Sequence, residues 1–246
     1  MAREDFSYLG SGRMYMREFG SNDPLAWVGN SSSLNGSIEE DSIKKPDYTQ
    51  PGGGTFNEVK RVNSAKFSLV ADELDGPNLA RVVFGSATAH AAATGKAENG
   101  LICNHGGLTP FEFPPSSITS VKTADDVTTY VEGMDYEVRP AGIIPLATGS
   151  MVDGDPHNVV YDHLGLNVVE ALTSSAKEWE VFFEGYNEAR SGKPVTVHLF
   201  RVKFGAAKNL QLIGSEYLVL ESDGEMLKDL TKTGTGKSQY MKAVIV

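Results

Sequence analysis

What constrains this chain most is its punctuation. Its 26 glycines break it into short runs rich in Val, Ile, Phe, Tyr and Thr. Apolar residues almost nowhere recur at the spacing of a helix. A chain built this way reads as many short strands joined by turns. Leu34, Gly36 and Ile38 alternate with Asn35, Ser37 and Glu39, the period of two of a strand with one wet face. Ala65, Phe67 and Leu69 alternate likewise with Lys66 and Ser68. Further strands are expected at Arg13–Met16, Ala26–Val28, Ile118–Val121, Thr128–Val131, Tyr136–Arg139 and Ile143–Leu146. The C-terminal third adds Val159–Tyr161, Asn167–Leu172, Glu178–Glu184, Val195–Phe204, Glu216–Leu220 and Tyr240–Val246, with a turn at Ser222–Gly224. Trp179, Val181 and Phe183 share one face of their strand, and Glu178, Glu180, Phe182 and Glu184 the other.

One segment reads as a helix. Asp75 or Gly76 can cap it, Pro77 suits its first position, Leu79, Val82 and Val83 fall on one face, and Gly85 suits the residue past its end. At about two turns it depends on packing rather than propensity. Ala87–Ala93 fits either a short helix or an extended strip. The stretch from Glu40 to Glu58 holds Pro46, Pro51 and Gly52-Gly53-Gly54 without periodicity, and reads as a long loop. Loops that long are usually functional or disordered alone.

With no long helices between the strands, face-to-face sheets fit better than a βαβ layout. The fold class expected is mainly β, a two-sheet β-sandwich with a short flanking α-helix. Residues 1–85 would supply an N-terminal arm, the first strands, the loop 40–58 and the helix 77–84. Residues 86–155 would form an inserted or elaborated β region, and residues 156–246 the strands that complete the first domain.

Charge narrows the function classes. Lys+Arg number 22 and Asp+Glu 32, a net of −10. That balance argues against a general nucleic-acid binder and against adsorption to anionic lipid. No apolar run approaches the ~20 residues of a membrane span, and the first ten residues lack the apolar core of a signal peptide. The lone cysteine, Cys103, excludes an intrachain disulfide and a thiolate zinc cluster, which fits a soluble protein of a reducing compartment.

Four motifs invite chemistry. Gly234-Thr235-Gly236-Lys237-Ser238 resembles the end of a phosphate-binding loop, but the required earlier glycine is Thr231 and too little chain follows for a helix. A turn before a last strand is the plainer reading. Asp153, Asp155, His157, Asp162 and His163 have oxygen and imidazole donors at spacings a divalent ion can use, or form a polar turn leading into a strand. Cys103-Asn104-His105 pairs a thiol with an imidazole, but near neighbours on an extended chain do not readily meet. Gly52-Gly53-Gly54 can cradle an anion or serve as a hinge. No catalytic residue, metal or cofactor is expected.

The order of the short motifs does point somewhere. Gly12-Arg13-Met14-Tyr15, then Trp27-Val28-Gly29-Asn30, an alternating strand ending in acids, a glycine-rich loop, the strand Ala65–Val70 and the helix Pro77–Gly85 resemble the tail tube (major tail) proteins of long-tailed bacteriophages. Tyr130–Val138 with Gly142-Ile143, and Phe183-Glu184-Gly185-Tyr186-Asn187 with the strand through Arg201-Val202, continue the likeness. The resemblance implies a non-enzymatic structural subunit. Its sheets would join between subunits into a ring-shaped β-barrel of six copies, and rings would stack into a hollow conduit for DNA ejection into the host cell. Partners would be further copies, tape-measure, terminator and baseplate or tip proteins, and double-stranded DNA passing without specific binding. No membrane anchor is implied. The location would be the virion tail, after assembly in the host cytoplasm. Six copies would carry six times −10, so backbone pairing and apolar contact must hold the ring. Carboxylates on the bore would keep a sliding duplex off the wall; Glu39, Asp72, Glu178, Glu180 and Glu184 are the lumen candidates. Pro46, Tyr48, Pro51, Gly52, Gly53, Gly54 and Phe56 are the candidates for contact between subunits. The alternative is a soluble β-sandwich binding module for carbohydrate or a surface ligand, with Trp27, Tyr48 and Tyr130 as its aromatic platform.

Overall fold

A computed structural model describes residues 5–49 and 51–246. Strands make up 52% of the described residues and helix 4%. The chain divides into two compact units, one of residues 1–87 and 169–246, the other of residues 88–168.

The first unit is built on one eight-stranded antiparallel sheet. Its strands are β1 (Gly10–Glu18), β2 (Ala26–Trp27), β3 (Ser31–Pro46), β4 (Thr55–Ala71), β13 (Glu178–Asn187), β14 (Lys193–Phe204), β15 (Leu220–Met226) and β16 (Met241–Ile245). They run in the order β2-β1-β13-β14-β15-β4-β3, with β16 also on β14. The branch at β14 explains the shape of the core. β13 takes one edge of β14 over its length. The other edge is divided, Val195–Leu199 pairing with β16 and Val202–Phe204 with β15. The sheet thus doubles over where β15 leaves β14. Met14, Met16, Val181 and Leu199 from one arm then pack with Phe67, Leu69, Leu220 and Met226 from the other in a single core. Val202, fully buried, sits at the fold line, and Phe204 meets the Phe67 ring edge-on at 4.8 Å. The two layers expected of a sandwich are therefore arms of one sheet, and the sheet is not closed into a barrel.

The helix is α1, Gly76–Val82. Asp75 caps it by accepting a hydrogen bond from the Asn78 backbone N–H at 2.6 Å, with Pro77 in the first turn. It ends sooner than expected, and the left-handed residue past its end is Phe84 (φ 52°), not Gly85. Gly85 has a different reason to lack a side chain: a Cβ there would lie 2.2 Å from the Glu170 carbonyl oxygen.

The second unit contains β6 (Ala93–Ile102), β7 (Thr109–Pro110), β8 (Ser117–Thr123), β9 (Tyr136–Arg139), β10 (Gly142–Pro145) and β11 (Pro156–His163). They form two three-stranded sheets, β6-β11-β8 and β7-β10-β9. Its separate core gathers Cys103, Phe111, Phe113, Val121, Tyr136, Ile143, Val159 and Tyr161. A two-stranded ribbon, β5 (Ser86–His90) with β12 (Leu166–Glu170), carries the chain across the unit boundary. The Ala87–Ala93 stretch is thus extended over most of its length. Residues 156–163, assigned above to the C-terminal strands, pair instead with β6 and β8, so the inserted region runs past 155. Thr128–Val131 forms only an isolated bridge at Thr129.

Two more expectations change for physical reasons. The turn expected at Ser222-Asp223-Gly224 lies inside β15, and most of Glu216–Leu220 lies outside any strand. Ser222 points into the core, and Gly224 leaves room for the Phe67 ring, which a Cβ would meet at 2.5 Å. The loop expected over 40–58 is instead the distal part of a hairpin. β3 and β4 stay paired from Ser31↔Ala71 to Pro46↔Thr55, Ile43 facing Val59. The turn lies beyond Pro46 and before Thr55, closed by Asp47 N–H on the Gly54 carbonyl at 2.8 Å, with Gly52, Gly53 and Gly54 all at positive φ. Proline at the strand ends and a glycine turn are what such a hairpin needs; nothing in the spacing of apolar residues announces it.

Candidate functional site

The β3–β4 hairpin separates into two regions. Near its base the inward residues Ala65, Phe67, Leu69 and Ala71 are buried, and Leu34 packs on them. Past the bulge at Glu39/Glu40, every residue of both strands is exposed on both faces. The arm from Glu40 to Pro46 reaches roughly 23 Å at 3.3 Å per residue. It bears Ile43 (58% exposed), Val59 (47%), Phe56 (62%) and Val62 (57%), with Tyr48 in the turn. Lys45 lies over the Phe56 ring at 5.1 Å. Two strands without a core are marginal in water. β3 also ends the sheet, so its outer edge offers unpaired backbone groups. The contact candidates Pro46, Tyr48, Pro51, Gly52, Gly53, Gly54 and Phe56 thus all lie on this arm or its turn, on an ordered hairpin.

The five acidic candidates fall into two groups. Glu178, Glu180 and Glu184 share the outer face of β13, but they are not a free acidic row. Glu178 makes a two-pronged pair with Arg201, Nε and Nη2 each at 2.8 Å, and that pairing holds its carboxyl below the ordinary range. Burial pushes Glu180 up, but Arg17 and His198, each at 2.6 Å, outweigh it and the net shift is downward. Glu184 accepts from the Tyr15 hydroxyl at 3.2 Å. By register, Arg13 lies opposite Glu184, Arg17 opposite Glu180 and Lys203 opposite Glu178, and Lys242 lies beyond His198. With Arg201, that makes five cations against three carboxylates.

The acid surplus is on the other arm. Glu39 pairs with Lys66 at 2.7 Å, and the same outward face carries Glu221, Asp223 and Glu225 of β15, opposite Val70, Ser68 and Lys66. Lys208 reaches Asp223 at 2.5 Å. Asp72, one residue past β4, accepts from Ser32 Oγ at 2.9 Å and Asn30 Nδ2 at 3.1 Å. Excluding Asp72, four carboxylates stand against three ammonium groups, Lys66, Lys208 and the Lys203 of β14 that lies opposite Glu225. Three of those four were missed because Ser222-Asp223-Gly224 looks like a turn; the strand signal that identifies Glu221, Asp223 and Glu225 as one outward row is their spacing of two.

The other motifs are parts of the scaffold. Cys103 is buried in the second unit, and burial pushes its thiol up. His105 Nε2 bonds the Met151 carbonyl at 2.8 Å. Among the described residues no three potential metal ligands come together: Asp153 accepts from the His105 N–H, Asp162 from Gly95 and Ser117, and the His157 and His163 rings pack against Tyr130 and Phe113. The Gly234–Ser238 segment turns before β16 with no helix after it. Tyr130 is 6% exposed, so it cannot join Trp27 and Tyr48 in an open aromatic platform. Among the described residues no helix is long and apolar enough to cross a membrane.

Comparison with known proteins adds a family without an assigned activity. No curated protein matches the chain. A family model described as "Protein of unknown function UCP028589" matches residues 7–244, nearly the whole chain, and the protein belongs to that family.

Proposed function

We propose that this protein is the structural subunit of a bacteriophage tail tube. Copies join through the borders of the eight-stranded sheet into six-membered rings, and stacked rings form a conduit for DNA. The observation that carries this reading is the β3–β4 hairpin: an ordered, core-free arm with exposed Ile43, Phe56, Val59 and Val62 on an unpaired sheet border. Apolar side chains exposed together on an unpaired sheet border suit contact with a neighbouring chain. The loop of residues 205–219, with Leu212, Ile213 and Tyr217 exposed, is a second contact between copies. Adaptor and tape-measure proteins would use the same surfaces at the tube's ends.

In this reading the wall facing DNA is the outer face of β3, β4 and β15, where Glu39, Glu221, Asp223 and Glu225 outnumber Lys66, Lys208 and the neighbouring Lys203. The β13 face, with more cations than carboxylates, would attract phosphate rather than repel it. Salt limits the influence of exposed charges to ~8 Å at physiological strength, so only wall residues matter. The chain is scaffold rather than catalyst.

Negative-stain microscopy of concentrated purified protein tests the proposal. Hollow rods of uniform width are expected. Single chains at every protein and salt concentration would overturn it.

A further inference from the structure

The negative charge of the chain is unevenly placed. Residues 88–168, the second unit, hold ten Asp and Glu against three Lys and Arg, so this smaller unit carries −7 of the total −10. Much of the surplus lies on two loops. Asp125, Asp126 and Glu132 are exposed on residues 124–135, and Asp153 and Asp155 on residues 149–158. Hydrogen bonds draw the loops together. Asp135 accepts from the backbone N–H groups of Val131 at 2.8 Å and Ser150 at 2.7 Å, and Asn158 Nδ2 donates to the Ala124 carbonyl at 3.1 Å and to Asp126 at 3.2 Å. The Tyr130 phenol records their field: burial pushes it up first, and the charges of Asp135, Asp155 and Asp125 add to that. Val127, Val131, Met134 and Val152 are open to solvent on the same loops. Among the described residues, Asp125, Asp126, Glu132 and Asp155 form no ion pair.

The β3–β4 arm has the opposite balance. Glu40 and Asp41 lie at its base, but from residue 42 to residue 62 Lys44, Lys45, Lys60 and Arg61 stand against Asp47 and Glu58. All four cations are exposed, and none forms an ion pair among the described residues. The register puts Lys45 and Arg61 on the same face as Ile43 and Val59. Arm and loops thus match in kind, each a set of open apolar side chains among unpaired charges, and they are opposite in sign. Two copies of net −10 repel one another, so a contact between them is favoured where the cations of one meet the acid surplus of the other.

We propose that the arm of one copy docks on the acidic, apolar loops 124–135 and 149–158 of another copy, its four cations meeting their unpaired carboxylates. This contact rests on the assembly reading above and names the surface that covers the arm. Charge reversal tests it. Lys45→Glu with Lys60→Glu reverses the arm where the facing residues, Asn57 and Ser42, are uncharged. Glu132→Lys with Asp155→Lys reverses the loops at carboxylates that bond nothing among the described residues. Sedimentation velocity at low ionic strength should show each variant needing at least about tenfold more protein than wild type to self-associate, with circular dichroism unchanged. An equimolar mixture of the two variants should associate at close to the wild-type concentration, because each reversed arm then meets reversed loops on the other variant. A second readout needs no variant to fold: in wild-type protein mixed from isotopically light and heavy stocks, carbodiimide should join the arm lysines to the two loops of a differently labelled copy. Wild-type association that both folded variants reproduce, or a mixture no better than either variant alone, overturns the contact and leaves the assembly reading standing. Cross-links confined to one copy, or running from the arm to first-unit residues of another copy, overturn it likewise. Wild-type protein that never associates overturns both.

Discussion

The hairpin arm separates assembly from folding, and the double substitution Ile43→Ser with Val59→Ser measures that separation. The two side chains face one another across β3 and β4 and remain about half exposed. Fully burying such a side chain is worth about 1.5–3 kcal/mol, so covering the exposed half stabilises a contact by about 1 kcal/mol each, about 2 for the pair. At about 1.4 kcal/mol per tenfold change, losing them should raise the protein concentration needed for self-association about 30-fold. The fold of one chain loses only a cross-strand pair, worth about 0.2–1 kcal/mol, and its Tm should fall by no more than about 4 °C. Sedimentation velocity across a concentration series reads the first quantity and differential scanning calorimetry of dilute protein the second. A Tm drop of 10 °C or more would mean that the arm packs on its own core, and an unshifted association midpoint would mean that these side chains contact no neighbour. Either result refutes the reasoning.

Two further outcomes test the cores. Gly224→Ala should destabilise the first unit by about 1–3 kcal/mol, the usual cost of overpacking, because the new Cβ would lie 2.5 Å from the Phe67 ring and 2.7 Å from the Lys203 carbonyl; chemical denaturation that finds no loss would show that the ring moves freely. In the second unit, Asp135 accepts from Ser150 N–H and Oγ–H at 2.7 Å each and from Val131 N–H at 2.8 Å. These bonds, the Ser150 N–H first, hold its carboxyl below the ordinary 3.8. The contribution is therefore fully present above about pH 4 and is lost as pH falls through the lower native value. Asp135→Asn should cost about 1.5–3 kcal/mol at neutral pH and flatten the acid limb of the stability profile; an unchanged acid limb followed by circular dichroism would count against it.

Much of the strand framework is readable from local pattern. Tyr136–Arg139 is a strand with the expected bounds, and β8, β10, β13 and β14 begin or end within a few residues of expectation. These are segments whose alternation or β-branched content matches a half-buried pleat. The Asp75–Pro77 cap is equally local, since one side chain bonds an amide three residues on. The failures share a cause. Ser222-Asp223-Gly224 carries turn chemistry but is held in β15 by pairing with β4, a partner some 150 residues away, and by the Phe67 ring that needs Gly224 bare. Glu40–Glu58 carries no alternation because neither face of that hairpin is buried by its own chain, so nothing selects an apolar side.

The amino-acid order thus sets the β character, the capped helix, the acidic balance and the exclusion of a disulfide, because each depends on composition or on neighbours a few residues apart. Tertiary structure decides the rest. It determines that Glu178 and Glu180 are neutralised by Arg201 and Arg17 while the acid surplus falls on β3 and β15. It also folds one sheet over its own core at Val202 and leaves the Arg81 Nε unpaired beside Trp179. Coulomb and hydrogen-bond energies depend on separation in space, and strand pairing sets that separation independently of distance along the chain.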